Sequence, residues 1–146
     1  MEPMQLALNE AKSAAERGEV PVGAVVLGPD GAVLARAGNA VEATHDASAH
    51  AEILVLRAAA AARGSARLPD CDLVVTLEPC PMCAQAIGFF RIRRLIFGAY
   101  DPKGGGVEHG ARVYDASSCH HRPEIVGGVR ESEASGLLKA FFAGKR

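Results

Sequence analysis

The chain has 146 residues, 49% hydrophobic and 23% charged, the composition of a globular protein that buries its core without disulfide staples. A net charge of −1 excludes a strongly basic nucleic-acid binder, and no apolar run approaches the ~20 residues needed to span a bilayer. Aromatic residues are only 5% and Trp is absent, so the core is expected to rest on Val, Leu, Ile and Ala.

From the N-terminus, Met1-Glu2-Pro3 lacks the basic start of a secretion signal, which predicts a cytoplasmic protein with reduced thiols. Residues 4–17 place Leu6, Ala7, Ala11, Ala14 and Ala15 at helical spacing before Gly18, which reads as an amphipathic helix with a glycine stop. Residues 20–27 and 32–37 read as two strands joined by the turn Gly28-Pro29-Asp30-Gly31, hence a hairpin. After a polar loop over 38–47, Asp46 or Ser48 is expected to cap a helix running through the alanine stretch 58–62 to Gly64. A strand over 73–77, a helix opened by Pro81 and reaching Phe89 or Phe90, and a strand over 95–99 follow. Lys103-Gly104-Gly105-Gly106 opens a long irregular segment and reads as flexible punctuation. A short strand at Ile125-Val126 and a helix over 131–142 end the chain at Lys145-Arg146. Alternating strands and helices imply crossover connections, hence an α/β chain read as one domain over residues 1–146.

Charge is unevenly spread. Residues 1–90 carry 6 Lys/Arg against 11 Asp/Glu, and residues 91–146 carry 10 against 6. The basic C-terminal third is either a phosphate-facing surface or an ordinary solvated face.

The chemistry concentrates in His50-Ala51-Glu52 and Pro79-Cys80-Pro81-Met82-Cys83. Zinc takes imidazole nitrogen and thiolate sulfur, and a catalytic site keeps three protein ligands and one open position. His50, Cys80 and Cys83 supply such a set, with no fourth His or Cys in the same two elements. Cys80 precedes the helix that Pro81 opens and Cys83 falls in its first turn, where the helix dipole favours thiolates. Residues two apart do not share a helical face. His50 and Glu52 therefore serve one site only if the metal lies over a helix N-terminus. Two thiolates cancel the formal charge of Zn²⁺ and soften it as a Lewis acid. A neighbouring carboxylate, Glu52, is then required to move the protons. A lone C-x-x-C would equally suit a redox pair, but that leaves His50-Ala51-Glu52 without a role. Together the two segments match the zinc deaminase pattern H-x-E followed by P-C-x-x-C.

The wider sequence resembles the bacterial tRNA adenosine deaminases. The likeness runs through residues 19–25, 46–53, Val75-Thr76-Leu77-Glu78-Pro79-Cys80-Pro81-Met82-Cys83, residues 91–99 with Asp101 and Lys103, and the ending Leu137-Leu138-Lys139-Ala140-Phe141-Phe142. This resemblance implies a three-layer α/β/α sandwich with a mixed five-stranded sheet, one Zn²⁺ per subunit, and a homodimer that binds a tRNA anticodon stem-loop. The implied reaction is hydrolytic deamination of the wobble adenosine to inosine. It further implies that Asn39 hydrogen-bonds the flipped base, that Ala51 offers its backbone N–H to the pocket, and that Val20 forms a wall. Asp101 would lie beside the sugar-phosphate, and His120 and Phe142 would contact RNA. The run Cys119-His120-His121 departs from the Asn-His found in most of the family. Two alternatives stay open: deamination of a free base or nucleoside of guanine, cytosine or adenine type, and a non-catalytic zinc-stabilised RNA-binding module.

Overall fold

A computed structural model describes residues 1–145; Arg146, the last of the C-terminal basic residues, lies outside the described residues. The elements are α1 (Pro3–Glu16), β1 (Gly23–Leu27), β2 (Val33–Gly38), α2 (Val41–Thr44), α3 (Ala51–Arg63), β3 (Asp72–Leu77), α4 (Pro81–Phe89), β4 (Arg94–Ala99), a 3₁₀ turn at Val113–Asp115, β5 (Glu124–Val126) and α5 (Glu131–Ala143). No helix is long and apolar enough to cross a membrane among these residues.

The five strands lie in the order β2-β1-β3-β4-β5. β1 pairs antiparallel with β2 and with β3, whereas β3–β4 and β4–β5 are parallel. The sheet is therefore mixed, as the resemblance implies. Successive strand side chains alternate between its faces. Ala24, Val26, Leu73, Val75, Leu95 and Phe97 pack under α3 and α4. Val25, Leu27 and Val74 pack under α1 and α5 with Met4, Leu8 and Ala134. These strands are apolar on both faces because each face is roofed by helices. Phe97 is the largest fully buried side chain, so the predicted aliphatic core holds with that one aromatic at its centre.

Local chemistry sets the boundaries. Pro21 has no N–H for a ladder and the Val22 N–H closes a tight turn on the Val20 carbonyl at 2.8 Å. The first strand therefore begins at Gly23 rather than Val20. Gly23 is also where α1 presses on the sheet: a Cβ there would run into the Ala7 carbonyl and lie 2.6 Å from Ala11 N. The expected caps do not cap α3. Asp46 Oδ1 accepts both the N–H and the hydroxyl of Ser48 in a turn before the helix, and His50 takes the N-cap position. The C-terminus is as expected, with Gly64 in the left-handed region at φ 64°. The glycine run at 104–106 is not flexible punctuation. Gly105 and Gly106 are buried, and added Cβ atoms would lie 2.5 Å from Glu78 Oε2 and 2.6 Å from Pro81 N.

Candidate metal centre

Two helix N-termini converge at one end of the sheet. His50 caps α3, Cys80 caps α4, and Cys83 sits in the first turn of α4 behind Pro81. His50 Nδ1 lies 3.6 Å from Cys80 Sγ and 3.4 Å from Cys83 Sγ. A tetrahedral zinc with bonds of ~2.0–2.1 Å to nitrogen and ~2.3 Å to sulfur holds such donors roughly 3.5–3.6 Å apart. The residues thus fit the ion in donor type and in spacing. Among the described residues they are the one group of three His, Cys, Asp or Glu side chains gathered closely enough to hold a metal.

Protonation follows from the crowding. The Cys83 S–H, aided by His50, draws Cys80 down to about 4, against the opposing effect of burial. Cys83 is driven far up by the adjacent thiolate and by its own burial. The hydrogen bond to Cys80 raises His50 above its ordinary value. A dication removes the asymmetry, because each sulfur then faces positive charge.

Glu52 is buried beside this group, and burial, reinforced by the Cys80 thiolate, pushes its carboxyl up to about 7. A dication would lower that value again.

His50, Glu52 and Cys80 form the floor of a cavity of about 790 Å³. Val20, Asn39 and Asp101, expected from the resemblance, all line it, and Phe142 stands at its mouth, 53% exposed. Asn39 is held tightly. Its N–H donates to the Val22 carbonyl at 3.1 Å, and its Oδ1 accepts the Ala51 N–H at 2.7 Å. With Oδ1 so engaged, Nδ2 is the side-chain atom left for a ligand. The expectation that Ala51 offers its N–H to the pocket is corrected by the same bond: Asn39 takes that donor.

His120 is not brought to the cavity. It lies exposed with its ring 6.3 Å from that of Phe89 on α4, while His121 Nε2 bonds the Ile92 carbonyl at 2.7 Å. The run Cys119-His120-His121 therefore assembles no second metal group. Of the ten Lys and Arg residues over 91–146, four sit on local partners. Arg93 pairs with Asp72, Arg94 with Glu124, Arg122 with Asp115, and Arg130 with Glu2 and Glu133. At the cavity itself Lys145 remains, above the Phe141 ring at 5.1 Å, and Lys103 sits between the lining residues Asp101 and Gly104. Sequence reasoning assigned no role to Glu19, Phe141 or Lys145 at the site, nor to Glu78, whose one available signal is a carboxylate following a buried apolar strand.

Residues 1–99 match the model for the cytidine and deoxycytidylate deaminase zinc-binding region. Over 143 residues the chain is 56% identical to the tRNA-specific adenosine deaminase of Agrobacterium fabrum strain C58, covering 98% of this chain and 93% of that one. A solved structure from studies of A-to-I editing by tRNA:A34 deaminases at the wobble position matches with TM-score 0.91 and 56% identity, over 93% of this chain and 98% of its own. Guanine deaminase from Bacillus subtilis matches with TM-score 0.67 and 28% identity, over 98% of this chain and 91% of its own.

Proposed function

The chain belongs to the tRNA-specific adenosine deaminase family, and on that premise we propose that it hydrolyses the wobble adenosine of a tRNA anticodon loop to inosine, releasing ammonia. The observation that carries the chemistry is a buried carboxylate, Glu52, beside a His-Cys-Cys group on the floor of a cavity large enough for a nucleotide. The full-length likeness selects the substrate.

Zinc, when bound by His50, Cys80 and Cys83, supplies Lewis acidity that makes water a competent nucleophile at neutral pH. Glu52 takes the proton that the attacking water must lose and delivers it to ring N1 as the C6–O bond forms. It then carries the second proton to the exocyclic amine, so that the C6–N bond breaks with ammonia as the leaving group. Asn39 offers its Nδ2 donor to an acceptor on the base, and Val20 and Leu77 form apolar walls. Asp101 lies on the sugar-phosphate side, with Phe141 and Phe142 at the mouth for a flanking base. An anticodon loop presents its bases partly unstacked, which lowers the work of extrusion.

The same reading includes a homodimer and a cytoplasmic location. Supporting the former, Met82 and Phe89 leave an apolar strip of α4 exposed, at 40% and 57%. The free-base alternative rests on the guanine deaminase likeness, which has half the identity.

Zinc-loaded enzyme incubated with a tRNA anticodon stem-loop, and separately with guanine, cytosine, adenine and adenosine, decides between them. Inosine in the stem-loop with matched ammonia is the expected result. Ammonia from a free base, with the stem-loop untouched, would overturn it.

A further inference from the structure

We infer that Glu78 is a positioning residue that fixes the RNA-facing rim of the cavity by holding the 101–109 loop, an inference that rests on the deaminase reading for its substrate. Glu78 follows β3 and precedes Pro79-Cys80, and its side chain is fully buried. A buried carboxylate is tolerated only when its oxygens are hydrogen-bonded. Every donor it finds comes from one loop. Oε1 accepts the Asp101 N–H at 3.0 Å and bonds His109 Nδ1 at 2.9 Å. Oε2 accepts the N–H groups of Val107, Glu108 and His109 at 3.2, 2.8 and 3.0 Å. The loop wraps a single carboxylate, and Gly105 lets it approach, since a Cβ there would lie 2.5 Å from Oε2.

The two ends of this wrap are functional. At one end Asp101 and Gly104 line the cavity. Asp101 Oδ1 accepts the Gly104 N–H at 2.9 Å, so the rim moves as a unit. At the other end the Gly106 N–H donates to the Pro79 carbonyl at 2.8 Å, one residue before Cys80. Glu78 thereby ties the substrate rim to the turn that carries a metal ligand, its carboxylate fully occupied by the loop.

Glu78→Gln tests this. The amide keeps its oxygen toward the three N–H groups of residues 107–109 and turns its NH₂ toward the Asp101 N–H, a donor facing a donor. The bond that anchors Asp101 is lost and the His109 Nδ1 contact on the same atom changes with it, while the three bonds to the other oxygen stay. With zinc still stoichiometric, KM for the stem-loop is expected to rise about tenfold and kcat to stay within about threefold, as one charge-assisted hydrogen bond is removed. Because Glu78 acts through Asp101, Glu78→Gln added to Asp101→Ala should raise KM no further than Asp101→Ala alone. Additive effects, or a fall in kcat with zinc loss and unchanged KM, would overturn the assignment.

Amide hydrogen exchange gives a second readout without substrate. Protection at Asp101 should fall in Glu78→Gln, and unchanged protection there refutes the anchoring even if the RNA reading stands. If wild type ignores the stem-loop while exchange at Asp101 still responds, the substrate reading has failed and the anchoring has not. Should Glu78→Gln fold poorly, Gly105→Ala presses a methyl between Glu78 Oε2 and the Asp101 carbonyl, loosens the wrap from the loop side, and is held to the same KM, kcat and exchange criteria.

Discussion

Replacing Asn39 by Ala separates two roles of one side chain by the size of their effects. Oδ1 bonds the Ala51 N–H at 2.7 Å, at the first residue of α3 and directly after the metal ligand His50. Removing it orphans a buried helix-terminal donor, at a cost of about 1–3 kcal/mol. Asn39 lines the cavity and water from that side partly replaces the lost oxygen, so the lower half of the range is expected. For a chain of this length that is a fall in Tm of roughly 3–7 °C. Nδ2 is lost in the same substitution, and with it the donor proposed for the base. With the base bound and water displaced, an unpaired polar atom of the base costs a similar amount, so kcat/KM should fall by about 10- to 100-fold. Calorimetry of the zinc-loaded variant and steady-state kinetics on the stem-loop measure the two effects independently. An unchanged Tm would refute the anchoring of α3. A lowered Tm with kcat/KM within twofold of wild type would refute the base-facing amide.

Glu52→Gln should retain stoichiometric zinc while kcat falls by about 10²-fold or more, whereas Cys83→Ser should lose both metal and activity; metal analysis beside turnover checks each. Full turnover in a zinc-loaded Glu52→Gln enzyme would remove the carboxylate from the proton path. Glu19 behaves differently with pH. Burial opposes ionisation, but the N–H groups of Glu42 and Ala43 outweigh it and hold the carboxyl below its ordinary value of 4.5. A depressed folded-state pKa contributes stability above pH 4.5 that disappears as pH falls through the lower folded value. Glu19→Gln should therefore flatten urea-midpoint stability below pH 4.5 relative to wild type; an unaltered acid limb contradicts the assignment. Gly23→Ala drives a methyl into backbone atoms of α1 and should cost about 3 kcal/mol or more, read as a lower urea midpoint with unchanged slope.

Periodicity and motif spacing made most elements readable before any coordinates. The alternation of Val25 and Val74 against Val26 and Val75 is a local property of each strand, and so is the glycine stop at Gly64. Pro81 opens α4 as anticipated because its missing N–H is unneeded at a helix start. The errors share a cause. Asp46 has the chemistry of a helix cap but satisfies Ser48 instead, leaving the cap position to a residue required for metal. The glycines at 105 and 106 look like punctuation until Glu78 is known to lie against the first and Pro81 against the second, and the loop partners of Glu78 are 23–31 residues away. Such pairings have no periodic trace in the sequence.

The three buried glutamates of the cavity show how far residue type alone falls short of role. Glu19, Glu52 and Glu78 are each nearly sealed from solvent and each line the same cavity. Glu19 accepts backbone N–H groups from α2, and Glu78 accepts four from the 101–109 loop together with His109, so both remain ionised below their ordinary range. Glu78, with five donors on its two oxygens, has none free to carry a proton for substrate. Glu52 receives backbone help only from its own N–H, and burial therefore wins, raising it to about 7. A proton carrier must not be locked in its ionised state, and among the three only Glu52 is raised rather than lowered by its surroundings. Burial pushes all three upward alike, and the backbone donors around each carboxylate decide which two are held ionised and which one is raised.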